Sequence, residues 1–292
     1  MRILAEADWT ARRAAHEARV EPLLAPHVHR KSTGRTHPVI DFLFTYYSLR
    51  PSLLRRWSPG YGVLLDGPAS AEYLQYKGYR QFDGGVGVDP ALLDARRGTL
   101  EFVVSLLAAT ESRPAQLGCF GLHEWAMVYR GGDDAVRHSA VPLRLGHEGT
   151  DTVVESMQLR CTHYDAFRFF TPAAVPRNVE PLSRADQVQR EQPGCVHATM
   201  DLYKWGYKLG AIIESDLLAD CFDLAVDARE LDMRASPYDL SDFDYTPVRI
   251  ETAAGRAEYV RGQSALAERA TVLRSALLQR CRELLAIQPR PM

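Results

Sequence analysis

The stretch from about Thr252 to Ile287 most constrains the fold. Its apolar residues Tyr259, Leu266, Ala270, Leu273, Leu277 and Leu284 recur at spacings of three to seven. That periodicity lays one apolar stripe along a helix and does not fit the strict alternation of a half-buried strand. A stripe of this kind must be buried against other elements, and the rest of the chain supplies helical runs to do it. They lie after Pro90, from Pro114 to Arg130, from Ser183 to Gln192, from Cys195 to Leu209 and from Ser215 to Arg234. Near the N-terminus, residues 9–21 read as a helix capped by Asp8, with Pro22 and Pro26 breaking the chain beyond it. Pro38 suits the first turn of a buried helix that takes in Val39–Arg50. Residues 60–88 are rich in Gly and Tyr and read as an extended loop with short strands. Between Val141 and Phe170 the alternating, aromatic and β-branched residues predict a β-hairpin.

The expected architecture is therefore mainly α: a single helical domain over residues 1–292. It has basic helices in residues 1–60, a small β-hairpin insertion at about 141–172 and a long C-terminal helix at about 252–287.

Composition excludes several classes. With 46% hydrophobic and 25% charged residues the chain is globular rather than disordered. Its five cysteines never fall in a C-x-x-C pair, which argues against a zinc knuckle or redox dithiol and for buried free thiols in a reducing cytosol. The N-terminal segment carries charges where a signal peptide needs an apolar core, and no run reaches the ~20 apolar residues of a membrane span. A cytoplasmic protein without membrane contact is expected. Its formal net charge of −2 lacks the basic surplus of a protein gripping many phosphates, although residues 1–60 hold ten Arg or Lys against five Asp or Glu. Arg supplies nearly all the positive charge, in keeping with a GC-rich genome, so the four lysines (Lys31, Lys77, Lys204 and Lys208) stand out. There is no G-x-G-x-x-G after a strand, no P-loop and no G-x-S-x-G, which removes dinucleotide, nucleoside triphosphate and α/β-hydrolase chemistry.

Ionisable residues inside apolar runs are the candidates for function, because a buried charge must be paired or have its pKa moved. Asp41 lies in the run Val39–Phe44. On the expected helix from Pro114, Glu124 shares an apolar stripe with Leu117, Phe120 and Val128, and His123 points about 100° away. His163 and Asp165 would share one strand face. His197, Asp201, Lys204 or Trp205, and Lys208 line one helical stripe that mixes a base, an acid, cations and an aromatic. At the end of the helix before Ala235, Asp232, Arg234 and Asp239 sit where a loop needs tying down.

The strings HPVIDFLFTYY, CFGLHEWAMVYR, THYDAFRFF, QPGCVHATMDLYKW and LDMRASPYDL together resemble an actinobacterial family labelled 3-methyladenine DNA glycosylase, from about Thr36 to Leu273. The resemblance implies hydrolysis of the N-glycosidic bond of an alkylated base in DNA, with no cofactor. It implies that Glu124 or Asp201, and then Asp41, activates water. Trp125, Tyr129, Tyr164, Trp205, Tyr207 and Arg234 would hold the base, while Lys204 and the basic N-terminal segment meet phosphates. Two other readings stand beside it. His37, His123, His163, Asp165 and His197, with Glu124 and Asp201, offer enough nitrogen and oxygen ligands for iron or manganese in a helical oxidoreductase. A non-enzymatic binder of a small molecule or protein, built on the Trp and Tyr residues, is the third.

Overall fold

The structure is a computed structural model that describes residues 1–131 and 141–288. It is mainly α-helical with one small sheet. After a short strand β1 (Arg2–Leu4), helix α1 runs from Glu6 to Ser32. The helix expected to end before Pro22 thus continues through both Pro22 and Pro26. Both prolines and Ala18 are exposed, so the carbonyls that lose their amide partner face water, while Val20, Leu24 and His27 anchor the opposite side. Two short helices come next, α2 (Asp41–Thr45) and α3 (Pro51–Arg55). The predicted helix through Arg50 ends early because Ser48 adopts a left-handed backbone, with φ 53°.

Strands β2 (Val63–Leu65), β3 (Tyr79–Phe82) and β4 (Gly85–Val88) complete the sheet, in the order β1-β2-β4-β3. β1 pairs parallel to β2, with Arg2 opposite Val63, and the other two pairings are antiparallel. The β3–β4 turn is Asp83-Gly84, the dipeptide a tight hairpin favours. At the next residue, Gly85 (φ 140°), an added Cβ would stand 2.3 Å from the Leu65 carbonyl oxygen. The strands expected in residues 60–88 are thus present, whereas the hairpin expected at about 141–172 is not. That region forms helices α6 (Gly146–Ser156) and α7 (Tyr164–Phe167), with only the isolated bridge positions Leu143 and Leu159. Its apolar residues Val153 and Val154, then Ala166, Phe167 and Phe170, reach one core through helical turns rather than alternation.

Between them the predicted helix from Pro114 also shrinks, to α5 (Leu122–Ala126). Phe120 (φ 51°) and Gly121 (φ 75°) are consecutive left-handed residues, and no right-handed helix propagates through them. The stripe expected to join Leu117 and Phe120 to Glu124 does not form.

The large helices are those the apolar stripes announce. α4 (Pro90–Glu111) starts with Pro90 at its first position and the Asp89 side chain accepting from the Ala91 amide. α8 (Gln187–Arg190), α9 (Val196–Leu209) and α10 (Ser215–Arg234) lead to α11 (Ala253–Ala286), whose N-cap Thr252 accepts from the Gly255 amide. α11 packs on α4, α9 and α10, and α9 lies against α10. Twelve of the fourteen residues of α9 are buried, the exceptions being Tyr207 and Lys208. Along the buried part of this helix a charge cannot reach solvent, so His197, Asp201 and Lys204 must be answered from inside the core. Met200 and Leu202 of α9 belong to the main apolar cluster of α1, α4, α10, α11 and the sheet, and Val196 to a second cluster with Trp125, Phe167 and Tyr259. The polar residues of α9 lie along the seam between the two.

Candidate functional site

The seam holds one continuous polar network. α9 contributes His197, Asp201 and Lys204. α5 contributes His123 and Glu124, and α10 contributes Arg229 and Asp232 one turn apart. His163 comes from the extended residue before α7, Asp165 from α7 itself, and Glu191 from the residue after α8.

On one side, His123 Nε2 lies 2.9 Å from Asp232 Oδ1, close but off the line of a hydrogen bond. Arg229 Nη1 donates to Glu124 Oε1 at 2.8 Å and to Asp232 Oδ2 at 3.4 Å. Thus His123 and Glu124, which leave a short helix in different directions, both end on α10. On the other side, His163 Nε2 is 3.3 Å from both Glu191 Oε1 and Asp201 Oδ2. Lys204 Nζ donates to Asp201 at 2.6 Å and to Asp165 at 2.8 Å, and the Tyr47 hydroxyl donates to Asp201 Oδ1 at 3.0 Å. His197 joins the halves, its ring centroid 4.4 Å from that of His123 and 5.3 Å from that of His163. Two sets of ligand atoms therefore converge: His123, His197 and Asp232, and His163, Glu191 and Asp201, with all six residues buried.

The electrostatics arise from this packing. Burial disfavours the charged His123 ring, but the Asp232 carboxylate and the Cys119 sulfur outweigh it and hold the imidazole well above its usual value. Burial likewise opposes charge on His163, and Glu191 with Asp201 raises it. His197 goes the other way: burial, then the neighbouring His123 and His163, push it far down and keep the ring neutral. Burial alone would raise Asp201, but Lys204 and His163 hold it below the usual carboxylate range. Glu191 is raised, burial outweighing the attraction of His163. Among the described residues the Nδ1 atoms of His163 and His197 find no hydrogen-bond partner.

A void of about 10 Å³ lies beside His123 and His197, bordered by Cys119, Cys161, Cys195 and Tyr259. It has room for about one water. The buried Tyr259 hydroxyl and Gln263 Oε1, also at this void, have no hydrogen-bond partner among the described residues. Arg160, Cys161 and Thr162 line both this void and an outer pocket of about 210 Å³, so they form the wall between the centre and the surface.

Of the residues singled out from sequence, His123, Glu124, His163, Asp165, His197, Asp201, Lys204 and Asp232 are brought together here. The others are not. Asp41 is held at the far end of α1 by Arg30 and His27. His37 packs between Phe243 and Tyr245, and its Nδ1 faces the Val39 and Ile40 amides. Trp125 is fully buried and donates to the Ala235 carbonyl, and Tyr129 is buried with its hydroxyl on Glu155, so both serve the core rather than an open pocket. Tyr164 is half-buried beside the second apolar cluster. Trp205 packs on Phe102 with Lys204 and Lys208 against its ring, and Tyr207 is half-buried near Ser48. Arg234 ties the loop after α10, donating to the Thr246 carbonyl and to Glu258. Sequence reasoning misses Glu191 and Arg229, and it takes Asp232 only as a loop anchor. The signal for the last two is an Arg and an Asp three apart on the buried face of α10.

Searches against family models, curated proteins and solved structures find no match to this chain. Among the described residues no helix is long and apolar enough to cross a membrane.

Proposed function

We propose that the chain is a metal-dependent helical enzyme whose centre is the set His123, His197 and Asp232, taking iron or manganese. The observation that carries this reading is the convergence of His123, His197 and Asp232, whose ligand atoms lie within 4.8 Å of one another with all three residues buried. Among the described residues the buried carboxylates Glu124, Glu191, Asp201 and Asp232 lie in the same seam as the cations Arg229 and Lys204, with Asp165 shared between Lys204 and Arg168.

Ligand type favours the ion at His123, His197 and Asp232. Two imidazoles and one carboxylate with an open position form the facial set of non-haem iron centres. His197 is already the neutral ring a metal needs, and the one-water void beside it provides the open position. Lys204, 2.6 Å from Asp201, opposes a cation at the second set, which then serves as the hydrogen-bonded surround that orients α9.

The glycosylase reading requires Glu124 or Asp201, or after them Asp41, to be free to activate water. Each is held by a cation, Glu124 by Arg229, Asp201 by Lys204 and Asp41 by Arg30, and the void beside His123 and His197 is too small for a base. The test is elemental analysis of protein purified from medium supplemented with iron and manganese. About one metal per chain, lost in His197→Ala and Asp232→Ala, is the expected result. A folded protein that stays metal-free after reconstitution refutes it, and base release from alkylated DNA by that metal-free protein would establish the glycosylase reading instead.

A further inference from the structure

A second cavity lies away from the polar seam. It is an open cleft of about 790 Å³ between α4, the end of α9, the start of α10 and the segment that enters β3. That volume is within the range of small-molecule sites. Leu53, Leu92, Ala95, Leu209, Ile213 and Leu218 give it an apolar lining, and Leu53 remains 37% exposed at its edge. Arg56, Lys77, Arg96 and Lys208 bring four cations to the same cleft, and among the described residues no aspartate or glutamate lines it.

Several surface arginines elsewhere are ion-paired, among them Arg13 with Glu72, Arg19 with Asp220, Arg55 with Glu21 and Arg269 with Asp227. Among the described residues none of the four cleft cations forms an ion pair. Two are placed by aromatic rings instead, Arg56 with its guanidinium 3.5 Å from the Tyr76 ring centroid and Lys208 with its ammonium 4.9 Å from that of Trp205. The cleft also takes two of the chain's four lysines. Four like charges around an apolar floor repel one another until an anion enters, and the floor gives that anion's apolar part a place out of water.

We infer that this cleft binds a small anionic amphiphile, a molecule with one carboxylate or phosphate head and an apolar body. The inference stands independently of the metal centre.

The experiment is calorimetric titration of the full chain with dodecanoate, dodecyl phosphate, dodecanol and inorganic phosphate, each below its aggregation concentration. Saturable binding of dodecanoate or dodecyl phosphate, well above that of dodecanol and inorganic phosphate, is expected. The stronger of the two identifies the head group. Arg96→Gln combined with Lys208→Gln should weaken that binding about tenfold or more through loss of charge-assisted hydrogen bonds. Ala95 is exposed on α4, so Ala95→Trp should fill the cleft and abolish binding while leaving the melting temperature unchanged. Equal binding of dodecanol, equal binding of inorganic phosphate, no binding at all, or binding untouched by these variants would each overturn the inference.

Discussion

Replacing Asp201 with Asn tests the polar seam at its most connected point. Asp201 is 2% exposed and touches Lys204, His163 and Tyr47 at once. Asn preserves the shape and can still accept from the Tyr47 hydroxyl, so the change removes charge with little loss of volume. Lys204 retains Asp165 and His163 retains Glu191, which spares the full cost of two orphaned cations. The expected loss is therefore about 3 kcal/mol, the lower end of the range for breaking a buried ion pair. For a chain of this size that corresponds to a fall in melting temperature of roughly 5 °C. Thermal denaturation with and without chelator measures it. Lys204→Met alone should also destabilise, and the double variant should cost less than the two singles together, with a coupling of about 1–3 kcal/mol. A loss below about 1 kcal/mol for Asp201→Asn, or strict additivity in the double variant, would refute the view that these charges are mutually dependent.

Two further sites give predictions of their own. Burial works to raise the Asp41 carboxyl, but hydrogen bonds from Arg30, His27 and the His37 amide outweigh it and hold it below the usual range. Its stabilising contribution is present above the unfolded value near pH 4 and is lost as pH falls through the lower folded value. Asp41→Asn should therefore lower stability at pH 7 and flatten the decline below pH 4, as measured by denaturant titration across pH. At Gly85, a Cβ 2.3 Å from the Leu65 carbonyl and a positive φ together predict that Gly85→Ala costs about 1–3 kcal/mol or displaces β4. Chemical denaturation reads the cost, and a neutral outcome would mean that the β2–β4 pairing is looser than described.

The parts of the fold visible in the sequence are those set by long apolar periodicity. α4, α9, α10 and α11 match their stripes within a residue or two because tertiary burial and local propensity agree there. Where a few backbone torsions decide, the pattern misleads. Phe120 and Gly121 in left-handed conformation cut the helix before Glu124, and the signal in the sequence is only the pair Gly118 and Gly121 inside an otherwise helical pattern. The prolines of α1 mislead in the opposite sense, since their tolerance depends on which face meets water.

The site is legible wherever a charge interrupts an apolar run, as with His197, Asp201 and Lys204. Glu191 is not, because it stands in a polar run before Pro193 that reads as solvated, and only the fold places it at 2% exposure beside His163. Trp125 and Tyr129 look like ligand contacts because aromatic residues near acids resemble a pocket, and packing assigns them to the core.

Anomalous diffraction from crystals grown with manganese tests the central claim most directly. The account predicts one strong peak within bonding distance of the His123 and His197 rings and the Asp232 carboxylate, absent in Asp232→Ala. Well-ordered crystals with no peak there, or with manganese only at exposed carboxylates, would contradict it and leave the seam as a proton-balanced network of the core.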